Sequence, residues 1–198
     1  MTAYSITDED LKLLATSNSQ IEENSQDFCF DYEDFTSRIE SGERWHQLIQ
    51  CHLYFEHVID NMLREALPFP EEISLSRMGF RQRLDLVRAL DLLPIDITGA
   101  IKRITKMRNS VAHKLNFEID DQAVEDLKNC VPPHLKDVIL PQENRSIPRF
   151  EFFELLHVVL LKVELIRQSH VANRSINKKS KIRLQTVLER TPEAIYVP

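Results

Sequence analysis

Arg108 and His113, in the run Arg108-Asn109-Ser110-Val111-Ala112-His113, set a permanent cation and a titratable imidazole about a turn and a half apart on a predicted helix. A guanidinium suits phosphate because its planar fork donates paired hydrogen bonds and stays charged at any working pH. An imidazole suits proton transfer because its unperturbed pKa lies near neutrality. Together they are a minimal kit for cleaving a ribose phosphodiester without metal. The competing reading is a surface histidine near one structural arginine, and the surroundings must choose between the two.

The helix expected over residues 98–115 turns about 100° per residue, so Ile104, Met107, Val111 and Leu115 fall on one side. Lys102, Lys106, Asn109, His113 and Asn116 line the other, a polar and partly cationic stripe without an acid. A phosphodiester backbone needs such a surface, although a plain solvated helix face has the same composition. Arg108 points into the apolar half, where its charge requires an acid or a shared cavity. Glu56, among Tyr54, Phe55, Val58 and Ile59 and one turn from Asp60, is the expected partner, whether as site support or as a structural ion pair. Arg108 and His113 diverge by about 140°, so a single helix converges them poorly on one phosphate. Two such helices meeting between subunits would remove the difficulty.

The elements that must position these residues are helical. Only three glycines occur in 198 residues, which leaves few positions for tight hairpins and favours long helices with short polar links. The expected fold is all-α, with one sizeable core. Apolar spacing predicts core helices over residues 43–67, 80–93, 98–115, 121–130 (entered through Asp120) and 150–169. A short helix is expected after Thr7, with Asp10 closing a capping box. Residues 1–42 read as an acidic appendage, with ten acids against Lys12 and Arg38. Residues 170–198 read as a basic, then polar, partly disordered tail. From Leu165 to Leu188 no acid occurs, and Lys178, Lys179, Lys181 and Arg183 are candidate RNA-binding residues or simply a solvated tail.

The net charge of −6 argues against a general nucleic-acid coat. The longest aliphatic run is too short to span a bilayer, and the first residues do not resemble a signal peptide. Cys29, Cys51 and Cys130 are odd in number and widely spaced, as expected for reduced thiols in a cytoplasm. The remaining histidines lack metal-site spacing and no glycine-rich phosphate loop occurs, so no metal or other cofactor is expected.

With Asn109 in the polar position after the arginine, RNSVAH resembles the motif of the HEPN superfamily. FRQRLDLVRALDLL (residues 80–93) and IKRITKMRNSVAHKLNFEIDD (residues 101–121) are similar to its mannitol-operon-repressor-like branch, and LYFEHVIDNMLREAL (residues 53–67) resembles the family's first long helix. The resemblance covers about residues 43–169. It implies an up-down bundle of four to five core helices that forms a homodimer with both Arg/His pairs at the interface. It also implies RNA as the ligand, an antitoxin or sensor protein as partner, and metal-independent cleavage in a toxin–antitoxin or phage-defence setting. On that reading His113 is the general base or acid, Arg108 binds the phosphate, Asn109 orients them, Glu56 positions Arg108, and Lys102 and Lys106 engage flanking phosphates. Where toxins of the family paired with nucleotidyltransferases often carry a tyrosine, this chain has Leu115. The same branch also contains regulators, which makes a non-catalytic dimeric binding module the alternative.

Overall fold

The computed structural model describes residues 6–113, 118–139 and 152–190, and every described element is helical. The helices are α1 (Asp8–Ala15), α2 (Asn18–Asn24), α3 (Tyr32–Glu40), α4 (Arg44–Ala66), α5 (Phe80–Ala89), α6 (Ile95–His113), α7 (Asp121–Cys130), α8 (Pro133–Ile139) and α9 (Phe152–Arg190). Two single 3₁₀ turns, Pro70–Glu72 and Leu75–Arg77, carry the link from α4 to α5. Among the described residues no helix is long and apolar enough to cross a membrane. The described residues between 28 and 167 form one compact unit, and those of 6–27 with 168–190 form another.

The larger unit is built around α4. Leu48, Cys51, Phe55, Val58, Ile59, Met62 and Leu63 recur at helical spacing and are all buried, so α4 packs against α3, α5 and α6. From α9, Phe152, Leu155, Leu156, Val159 and Val163 enter the same core. Polar ties fix the remaining helix. Arg44 donates to the Ile119 carbonyl at 2.8 Å and pairs with Asp121 at 2.7 Å, while Arg103 reaches Asp126 at 2.7 Å. These link α4 and α6 to α7, whose N-terminus is capped by the Asp120 side chain, as its position predicts.

Four expectations shift in informative ways. The helix from Phe80 stops at Ala89 rather than Leu93. Asp91 takes a left-handed conformation (φ 54°), the Asp91 amide bonds the Arg88 carbonyl, and the Leu92 amide reaches back to Val87. This is a Schellman closure with aspartate where glycine is usual. It turns Leu92 and Leu93 into the core. Residues 28–40, assigned by charge to the acidic appendage, pack into the larger unit, with Phe35 and Ile39 fully buried. Residues 133–139, outside every expected core helix, form α8. Finally, the last helix continues beyond Ser169 to Arg190, through the stretch expected to be partly disordered.

In the smaller unit, Thr7 and Asp10 form the expected capping box on α1. The α2 start is capped by Ser17, and Ile21 of α2 is buried, as are Ala172 and Ile182 of α9.

A buried polar array anchors residue 29 of the larger unit. The Glu164 carboxylate accepts from the Cys29 amide at 3.0 Å and lies 3.2 Å from its thiol. Arg167 donates to Glu164 at 2.9 and 2.7 Å and to Glu65 at 2.6 Å. Burial alone would raise the Glu164 carboxyl, but the bonds from Arg167 and Cys29 hold it below the usual range. Nearby, the Phe35 ring meets Tyr54 at 4.8 Å, His157 at 5.4 Å and Phe30 at 5.5 Å. Phe35→Ala is therefore expected to cost about 3–5 kcal/mol in urea denaturation. A cost below about 0.5 kcal/mol, the range of surface substitutions, would return residues 28–40 to the periphery.

Candidate functional site

The apolar face of α6 buries Ile97, Ala100, Ile101, Ile104 and Met107, which turns the opposite stripe outward. There it meets the first turns of α5. Between them lies a cleft of about 610 Å³ lined by Phe80, Arg81 and Leu84 from α5 and by Lys102, Thr105, Lys106, Asn109, Ser110 and His113 from α6. The floor is apolar and the rim cationic. Four of the residues singled out by spacing, Lys102, Lys106, Asn109 and His113, thus share one concavity. Leu115 and Asn116 lie outside the described residues.

Within the cleft the small hydroxyls are already committed, Thr105 to the Ile101 carbonyl at 2.8 Å and Ser110 to the Lys106 carbonyl at 3.1 Å. Lys102 pairs across the helices with Asp85 at 3.2 Å. Lys106 and His113 are exposed and form no ion pair among the described residues, so their nitrogens are available to a ligand.

Arg108 is placed differently. It is half-buried, does not line the cleft, and its one described hydrogen bond is to Asn109 Oδ1 at 3.4 Å. The expected Glu56–Arg108 pair is not formed. Glu56 instead binds Arg83 at 3.0 Å and contacts His52 at 3.2 Å, and Asp60 approaches Arg83 at 3.5 Å while binding Arg64 at 2.7 Å. The reason is burial. The Arg83 side chain is only 12% exposed, so it takes both carboxylates that α4 offers one turn apart. Arg108 is left without a carboxylate among the described residues.

Two contributors escape a reading of spacing alone. Arg81 belongs to the cleft because α5 crosses α6 there, and nothing in FRQRLDLVR marks which neighbour it faces. His52 is buried against the Phe80 ring at 4.8 Å, and its Nε2 has no hydrogen-bond partner among the described residues. Its i,i+4 spacing to Glu56 was a signal in the sequence. Arg83 also sits over Phe80, 5.9 Å from the ring centroid, so His52 and Arg83 back the aromatic floor of the cleft from within.

In the smaller unit, Lys178 binds Asp10 at 2.9 Å, and the buried Lys179 is bonded to the Thr16 carbonyl and to Asn18. Two of the basic residues read as RNA-binding are therefore engaged by residues 10–18, whereas Lys181 and Arg183 are exposed. Among the described residues no three His, Cys, Asp or Glu side chains are placed to hold a metal ion. No family model, curated protein or solved structure matches the chain.

Burial pushes the His52 imidazole down to about 4; Glu56 acts upward, and the Arg108 and Arg83 charges oppose protonation. The unfolded chain, with histidine near 6.5, therefore binds more protons between those values, so stability rises with pH across this window and is lost as pH falls toward 4. His52→Gln is expected to flatten the acid side of a melting-temperature profile between these limits. An unchanged profile would show that His52 does not carry that dependence.

Proposed function

We propose that the protein is a HEPN-type, metal-independent endoribonuclease of the toxin or phage-defence kind, acting in the cytoplasm as a dimer of up-down helical bundles. The observation that carries this reading is the cleft itself, which joins Lys102, Lys106, Asn109 and His113 on one cationic rim above an apolar floor. Phosphate draws the rim lysines, and a base or ribose can rest against the accessible edge of Phe80.

The chemistry follows from the side chains. One His113 takes the proton of a ribose 2′-hydroxyl as its oxygen attacks the adjacent phosphorus. The P–O5′ bond breaks, and a protonated second His113, from the other protomer, gives its proton to the departing oxygen. The products are a 2′,3′-cyclic phosphate and a free 5′-hydroxyl, and no water or metal is consumed. Arg108, with no carboxylate partner among the described residues, offers its charge to the developing oxyanion, and its contact with Asn109 orients it. Because Arg108 and His113 leave the helix in different directions, a dimer in which two α6 helices approach supplies the convergence that one chain lacks. An antitoxin or sensor protein would hold such an enzyme in check.

One arrangement favours a second reading, a dimeric HEPN-like binding or regulatory module without catalysis. Arg108 stands outside the cleft lining, and Lys178 and Lys179 are engaged within the chain. The two readings part in a single assay. Purified protein in EDTA is expected to cut RNA to cyclic-phosphate ends, and His113→Ala to slow cleavage by about 10²–10⁴-fold with an unchanged circular-dichroism melt. Intact RNA with the wild-type dimer would decide for the binding module.

A further inference from the structure

Along α6, Lys102 and His113 are eleven positions apart, about 16 Å at 1.5 Å per residue. A single phosphodiester group cannot touch both, so the Lys102 end of the cleft is a place of its own. Three charges from two helices meet there. Asp85 Oδ1 lies 3.2 Å from Lys102 Nζ, and Asp85 Oδ2 lies 4.0 Å from Arg81 Nε. All three side chains are more than half exposed, at 53%, 54% and 88% for Lys102, Asp85 and Arg81, so a solvated anion can reach them. Asp85 itself is not among the residues lining the cleft, whereas both cations are. The carboxylate, outside the lining, is within reach of both cations and draws them toward itself.

We propose that Arg81 and Lys102 form a phosphate subsite and that Asp85 is its built-in counter-ion, occupying the cations until a phosphate displaces it. The ligand class is a phosphodiester or pyrophosphate oxyanion. Arg81 supplies the fork and Lys102 the point charge, an arrangement that accepts two oxygens of one group. Asp85 serves two ends. It prevents two adjacent cations from repelling each other in the free protein, and it sets a threshold that only a multiply contacted anion passes. Exposed ion pairs are weak, so the threshold is low and reversible. For RNA the inference rests on the nuclease reading and adds to it a grip on a phosphate away from the reacting one.

The test uses the full chain carrying His113→Ala, which keeps RNA intact, with and without Asp85→Asn, in EDTA. The probes are a short labelled polyuridylate RNA and inorganic pyrophosphate, with melting checked for every variant. One full charge removed at ion-pair distance in a solvated site sets the scale, and Asp85→Asn is expected to tighten both probes about fivefold. Adding Arg81→Ala should erase most of that gain and lower the slope of log affinity against log salt for RNA by about one. Equal affinity for both probes with and without Asp85→Asn overturns the proposal even if RNA binds well, and leaves the nuclease reading standing. Tighter pyrophosphate with no RNA binding in any variant keeps the subsite and removes the nuclease reading. Failure of both probes to bind Asp85→Asn also overturns the subsite. Lys102→Met in the Asp85→Asn protein gives a second check, since a gain that survives it cannot come from this pair.

Discussion

Arg83 is the point on which the geometry of the cleft depends. Its guanidinium is nearly buried between Glu56 and Asp60, one turn apart on α4, and lies over the ring of Phe80. A buried cation without its acids would be very costly, so α5 has little freedom to slide or rotate on α4. Because Phe80 and Arg81 sit within one turn of Arg83, that restriction also sets where the α5 wall stands against α6. Replacing one carboxylate would do more than remove an ion pair. It would leave a desolvated charge beneath the aromatic floor and release the wall that faces the lysines.

The parts of the fold that follow local rules were legible from the residues alone. Asp120 caps α7 and Thr7 caps α1 because short oxygen-bearing side chains satisfy orphan amides wherever the following residues are helical. The cleft stripe on α6 was legible for the same reason, since a period near 3.6 puts Lys102, Lys106, Asn109 and His113 on one side whatever packs on the other. What could not be read depends on competition between elements. Glu56 had two arginines to choose from, and it is the packing of α5 on α4 that brings Arg83 onto it, which belongs to tertiary structure rather than to spacing. The close of α5 was hidden because its left-handed residue is an aspartate in a glycine-poor chain.

Charge segregation along the chain likewise has a partly local outcome. The acids of the first residues and the bases of the last helix share the smaller unit, where Asp10 and the Thr16 carbonyl receive Lys178 and Lys179. An unbalanced tract can therefore be one half of an internal pairing rather than a surface kept for a partner. The larger unit adopts the same device on a smaller scale at Asp85, where an acid on α5 tempers a cationic rim.

The three free thiols are graded in depth. Cys130 is exposed, Cys51 is fully buried on α4, and Cys29 is held against a carboxylate with its thiol pushed up to about 12, first by burial and then by Glu164. A thiol reacts as its anion, so at neutral pH Cys29 is silenced by its neighbour as well as by its surroundings. The molecule thus carries its own clock. With Cys130 reacting at once, the rate at which an alkylating reagent captures Cys29 measures how often residues 28–40 lift from the core, and capture of Cys51 measures how often the core itself opens.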